Sequence, residues 1–151
     1  MRIGIANDHA AVDLKKDLKA YLEGKGYEVV NYGTDTKAST SYAIYGFQLA
    51  QGVKKGEVDL GIAICGTGVG ISLACNKVHG IRAGVCSEPA TARLIRQHNN
   101  ANIVAFGARI IGPEMAHMIV DEFLTAEYEG GRHQKRLDMV TEIEETQDLK
   151  Y

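Results

Sequence analysis

Short apolar runs alternate along the chain with segments whose apolar residues recur at helical spacing. Residues 2–6, 28–31, 60–65, 81–86 and 102–106 read as strands. Strands separated by helical stretches predict a parallel sheet covered by helices on both faces. In the first helical segment Ala11, Leu14, Leu18 and Tyr21 share one face, Lys15, Lys16 and Lys19 fall elsewhere, and Gly24 and Gly26 end it. Tyr42, Tyr45, Leu49 and Val53 repeat the period before Gly56. Pro89 and Pro113 each follow a strand and open a helix, because the fixed φ of proline suits the first helical turn. Ile119, Val120, Phe123 and Leu124 give the second of these helices its apolar face. After Gly130-Gly131 the last segment, 132–151, starts as a helix, and its acidic end around Glu142, Glu144, Glu145 and Asp148 is expected to fray. The fold class expected is α/β: a three-layer α/β/α, Rossmann-like sandwich with a five-stranded parallel sheet, forming one domain over residues 1–151.

Composition narrows the choice of ligand. The net charge is −2, with acids and bases mixed along the chain. No polybasic stretch points to nucleic acid or an anionic membrane surface, so a phosphorylated ligand needs a local cluster of cations. Cys65, Cys75 and Cys86 are odd in number and lack metal-ligand spacing, which argues against a disulfide framework and a structural zinc site and for a reducing cytoplasm. The start of the chain meets Asp8 and His9 too early for a signal-peptide core, and no apolar run approaches a membrane span. The expectation is a cytoplasmic protein without membrane or nucleic-acid partners.

In open parallel sheets ligands bind outside the carboxyl ends of the strands. Those ends carry Asn7-Asp8-His9, Cys65-Gly66-Thr67-Gly68-Val69-Gly70, Cys86-Ser87-Glu88 and Gly107-Ala108-Arg109. The glycine-rich segment fails as a dinucleotide fingerprint, since Ile71 stands where a glycine is needed, and fails as a P-loop, since no Gly-Lys-Ser/Thr follows. What remains is a turn whose main-chain N–H groups converge on an anion at a helix amino terminus, either a phosphate or a developing oxyanion. A thiol against such a turn is a competent base or nucleophile, whereas a cysteine ending an apolar strand is ordinarily core. The position of Cys65 favours chemistry; Cys75 and Cys86 lack that setting. Arg132 and Arg136, at i and i+4, share a helical face and suit a two-pronged phosphate clamp, although terminal-helix arginines are ordinarily just solvated. Arg109 is placed at the ligand edge by its strand. His9 and His98 lie at loop ends beside polar groups, His79 precedes a turn, His117 lies within a helix, and His133 is undecided. No His/Asp/Glu grouping has local metal spacing, so neither metal nor cofactor is expected.

With Asp8-His9, the cysteine-led glycine turn, Asn76-Lys77, Gly80-Ile81-Arg82-Ala83, Cys86-Ser87-Glu88-Pro89, Arg96-Gln97-His98-Asn99, Gly107-Ala108-Arg109 and Gly130-Gly131-Arg132-His133-Gln134 in view, the chain resembles the ribose/galactose phosphate isomerase family. The likeness runs in order from Met1 to about Thr146. It implies an aldose–ketose isomerase, an intramolecular oxidoreductase acting on a phosphorylated sugar without a cofactor. Cys65 would be the base that moves a proton between C2 and C1. Gly66, Thr67, Gly68, Val69 and Gly70 would hold the enediolate oxygens. His98 would help open the furanose ring, supported by Asp8. His9, Arg132 and Arg136 would bind phosphate, with Tyr42, Asn99 and Arg109 completing the pocket. The resemblance also implies a homodimer or homotetramer with shared sites, in which the C-terminal helix, about 132–147, packs on the partner. His98, Asn99, Arg109, Arg132 and Arg136 would then face Cys65 of the other subunit.

The chain departs from the ribose-phosphate pattern around Tyr42. Ser41 stands in place of an aspartate, and Ile44-Tyr45-Gly46 is closer to a hexose-phosphate subunit. Interconversion of ribose 5-phosphate and ribulose 5-phosphate is the leading expectation. The alternatives are isomerisation of allose or galactose 6-phosphate, and a non-catalytic phosphosugar-binding module, against which the intact Cys65, Thr67 and His98 speak.

Overall fold

Large and small side chains alternate along the central strands and decide how closely each helical layer approaches the sheet. In the computed structural model, which describes residues 1–149, β1 (Arg2–Asn7), β2 (Glu28–Asn31), β3 (Leu60–Cys65), β4 (Ala83–Val85) and β5 (Ile103–Gly107) form one parallel sheet in the order β2-β1-β3-β5-β4. The helices are α1 (Val12–Gly24), α2 (Tyr42–Lys54), α3 (Val69–Cys75), α4 (Pro89–Asn99), α5 (Pro113–Thr125) and α6 (Arg132–Thr146), with a 3₁₀ turn at His9–Ala11.

Ile3, Ile5, Ile62, Ile64, Val104 and Phe106 fill one face against Leu14 and Leu18 of α1, Ala92 of α4 and Ile119 and Phe123 of α5. The opposite face presents Ala6, Ala63, Cys65 and Ala105 to Leu49, Ala50, Ile71 and Cys75 of α2 and α3. Gly4 and Gly61 continue this small-residue face: a Cβ on Gly4 would lie 2.5 Å from Leu49 Cδ1. The result is the three-layer, Rossmann-like α/β/α sandwich that the pattern predicts. The chain leaves β1 toward β2 on one side and resumes at β3 on the other, so a crevice opens outside the carboxyl ends of β1 and β3. Among the described residues, no helix is long and apolar enough to cross a membrane.

Three details differ from expectation. The fourth strand is shorter, because side chains take over at its start: Asn76 bonds both the N–H and the carbonyl of Ala83, and Asn102 Oδ1 accepts from the Arg82 N–H. The acidic stretch at Glu142, Glu144 and Glu145 lies within α6, where Glu144 accepts the Gly80 N–H, so this part of the helix is anchored instead of frayed. Asp148 follows the helix, and Tyr151 lies outside the described residues.

Lys15 is the third. It is i+4 from Ala11 and i−3 from Leu18, which puts it on the buried face of α1, and it is 1% exposed. Its ammonium donates to the Thr34 carbonyl at 2.7 Å and to Asn31 and Asp35, tying the loop after β2 to α1. That bond holds the Asp35 carboxyl below the usual carboxylate range. Lys15→Met is expected to cost about 1–3 kcal/mol in urea unfolding, by removing the charged donor shared by the Thr34 carbonyl, Asn31 and Asp35. Because the Asp35 pKa is depressed on folding, its share is present above the unfolded pKa and is lost as pH falls through the folded one. The gap between wild type and variant should therefore narrow in acid without closing.

Candidate active site

The carboxyl end of β3 is fixed by its neighbours. Ala108 N–H donates to the Cys65 carbonyl at 2.9 Å, Arg109 N–H to the Gly66 carbonyl at 3.1 Å, and Asp8 N–H to the Ile64 carbonyl at 3.2 Å. β1 and β5 thus hold the strand end from both sides. The chain then turns sharply into α3 through Gly68, whose φ of +84° only glycine adopts readily. A side chain there would also lie 2.7 Å from the Phe106 backbone. This turn brings the Gly68 N–H to Cys65 Sγ at 3.1 Å, while Thr67 Oγ1 accepts the Val69 N–H at 3.3 Å. Cys65 is 4% exposed, and its sulfur takes a main-chain donor at the start of a helix.

The other cysteines are set differently. Burial pushes the Cys75 thiol up to about 12, and burial with the nearby Glu88 carboxylate does the same for Cys86. Both remain protonated thiols at neutral pH, and Cys75 donates to the Gly46 carbonyl.

Several predicted site residues gather at the same edge of this chain. Asp8 is buried and caps the His9–Ala11 turn, its Oδ1 accepting the Ala10 N–H at 2.9 Å. His9 Nδ1 lies 3.2 Å from both the N and the O of Thr40, which pins the ring and leaves Nε2 for a ligand. The exposed Tyr42 ring covers Gly70, where a Cβ would meet it at 2.6 Å. The Arg109 guanidinium crosses Gly66, with Nη1 3.2 Å from a Cβ placed there. Its own strand end thus places Arg109 beside the Cys65 turn of the same chain.

His98 and Asn99 lie elsewhere. They end α4, which starts at the carboxyl edge and runs back for 11 residues, a length of about 16 Å. They sit at the opposite edge of the sheet from Cys65, together with the start of α6. There the positive φ of Gly130 and Gly131 folds the chain back on itself, so that the His133 ring stacks on His98 with centroids 4.3 Å apart and planes 12° apart. Arg132 and Arg136 are exposed on the first turns of the same helix. A cleft of about 580 Å³ separates α6 from β4, lined by Arg82, Asn99, Leu137, Ile143 and Glu144 among others.

Sequence reasoning left His133 undecided and missed Glu129, which lies four residues before it and brings a carboxylate oxygen to 3.4 Å from His133 Nε2. The glycine pair and the i, i+4 spacing were the available signals. His98, Glu129 and His133 offer ligand atoms within 4.8 Å of one another. Stacked rings direct their in-plane lone pairs side by side instead of at one point, so this trio suits proton chemistry better than chelation.

Comparison with known proteins places this geometry in context. Residues 3–140 match a family model described as Ribose/Galactose Isomerase. The chain is 53% identical to ribose-5-phosphate isomerase B of Escherichia coli (strain K12), over 95% of this chain and 97% of that protein. A solved ribose-5-phosphate isomerase B from Clostridium thermocellum superposes with a TM-score of 0.96 at 48% identity, covering 98% of this chain and all of the other (100%). The Mycoplasma genitalium enzyme, solved with bound ribulose-5-phosphate, gives a TM-score of 0.91 at 42% identity, covering 96% and 97% of the two chains.

Proposed function

The chain belongs to the ribose/galactose isomerase family, and on that premise we propose that it interconverts D-ribose 5-phosphate and D-ribulose 5-phosphate through an enediolate, with Cys65 as the base. The observation that carries this reading is the Gly68 N–H at 3.1 Å from Cys65 Sγ, at the carboxyl end of a central strand.

Three steps follow. The furanose opens when the O1 hydroxyl loses its proton and the ring oxygen gains one, breaking the C1–O4 bond; His98 donates to the ring oxygen and Asp8 supports the exchange. The Cys65 sulfur then removes the C2 proton, and charge builds on the oxygens of C1 and C2. Amides of the Gly66–Gly70 turn and the exposed Thr67 hydroxyl stabilise that charge, each well-aimed donor being worth about 10²- to 10³-fold. The O2 proton passes to O1 and the sulfur returns its proton to C1, which completes the ketose. His9, Arg132 and Arg136 hold the phosphate, Arg132 at the amino end of α6, where the helix dipole favours an anion. Tyr42, Asn99 and Arg109 line the sugar.

One chain carries the sulfur and His98 at opposite edges, so a complete site takes its two halves from two copies, in a homodimer or a dimer of dimers. Exposed Ile44 and Phe47 on α2, with Val69 and Leu73 on α3, supply an apolar face for that contact beside the cysteine turn. On α6, Met139, Val140 and Ile143 are also exposed.

A hexose 6-phosphate is the second reading, suggested by Ser41 and by Ile44-Tyr45-Gly46. Two of these residues have local roles that need no hexose. Ser41 caps α2, its Oγ accepting the Ala43 N–H, and serine and aspartate cap helices about equally well. Gly46 lets α2 approach α3, where a Cβ would meet the Ile71 carbonyl at 2.9 Å. Purified protein is therefore expected to turn over ribose 5-phosphate with a kcat/KM at least about tenfold above that for allose or galactose 6-phosphate, the discrimination one extra carbon unit commonly brings. A tenfold hexose preference would reverse the assignment, and no turnover of either would leave only a phosphosugar-binding module.

A further inference from the structure

We propose that His133 is a positioning residue for ring opening: its buried imidazole is the floor on which the His98 ring lies flat. The inference rests on the reading of His98 as the group that opens the furanose.

His98 ends α4 and is only half-buried, a setting in which a histidine ordinarily samples several rotamers. Proton donation to a ring oxygen requires one of them, because a misplacement of about 1 Å can cost about 10²-fold. The structure provides the constraint. His133 is 7% exposed and its ring lies 4.3 Å from that of His98, nearly parallel at 12°. Covering one face of His98 leaves its edge nitrogens to meet the sugar. His133 is itself held from three directions. The Gly130-Gly131 reversal brings it over α4, with the His133 N–H bonded to the Gly130 carbonyl. Glu129 donates its own N–H to the carbonyl of Gln97, the residue before His98, so the reversal is tied to the helix end it covers. The Glu129 carboxylate stands 3.4 Å from His133 Nε2, a buried nitrogen with no hydrogen-bond partner among the described residues. A histidine serving only the core would not be expected to carry an unpartnered ring nitrogen. Here the flat ring, more than its donors, explains why the residue is kept buried.

The test compares ribose 5-phosphate with 4-deoxyribose 5-phosphate, which lacks the hydroxyl that closes the furanose and so reaches the base already open. His133→Leu should lower kcat on ribose 5-phosphate by about 10- to 100-fold, with KM within about twofold, yet leave turnover of the 4-deoxy sugar within about twofold of wild type. His133→Phe, which keeps a flat ring, should restore most of the lost kcat, and it also serves if the leucine variant fails to fold. Equal loss on both sugars would make His133 merely structural, and a phenylalanine variant as damaged as the leucine one would overturn the stacking claim. Wild-type protein inactive on both sugars would sink the isomerase reading itself, and this inference with it.

Discussion

Cys65→Ala is expected to lower kcat for ribose 5-phosphate by about 10²- to 10⁴-fold, the contribution typical of a placed general base. KM should stay within about threefold, since the phosphate ligands and the turn amides are untouched. The fold should survive, because the strand end is held through main-chain bonds at Cys65, Gly66 and Ile64 that alanine retains. Cys75→Ala and Cys86→Ala are the matched controls. Their thiols are held protonated near pKa 12 by burial, and neither variant should change kcat beyond what lost packing explains. Steady-state kinetics on the three variants, with thermal melts alongside, decides the matter. A Cys65→Ala enzyme within about threefold of wild type would remove sulfur from the proton path.

The second large effect concerns the two half-sites. Cys65→Ala and His98→Ala should each be inactive alone, but mixing equal amounts after subunit exchange should recover about a quarter of wild-type activity. With random pairing half of the dimers are mixed, and each mixed dimer holds one intact site beside one carrying both lesions. The basis is the placement of Cys65 and His98 at opposite edges of one sheet, His98 lying near the far end of α4, a helix about 16 Å long. No recovery after demonstrated exchange would mean that both groups act within one chain.

The sulfur half of the site was legible in the sequence because it is local. Cys65 through Gly70 is contiguous, its glycines signal the turn, and the topology rule for parallel sheets places it at the ligand edge. The helical periods of α1 and α5 were equally plain, since unbroken apolar stripes record burial directly. Lys15 escaped because hydropathy assigns a lysine to solvent, although its spacing from Ala11 and Leu18 puts it on the core face. Its burial depends on the Thr34 carbonyl and Asp35, contacts no local pattern encodes. The same holds for His133. Its stacking on His98 joins residues 35 positions apart through a glycine reversal, and only the packed chain reveals it. Arg109 was legible as a candidate from its strand end, but not its crossing of Gly66 in the same chain, because spacing along a strand does not say which turn a long side chain covers.

The measurement closest to the central claim is hydrogen exchange at carbon. Enzyme saturated with ribose 5-phosphate in deuterated water should, in the wild type, build solvent deuterium into the C1 and C2 positions as followed by proton NMR, because a proton held on sulfur exchanges with solvent before it returns. Cys65→Ala should bind the same sugar and leave those carbons unlabelled. Labelling by Cys65→Ala at the wild-type rate would show that another group takes the proton, and the cysteine base would have to be abandoned.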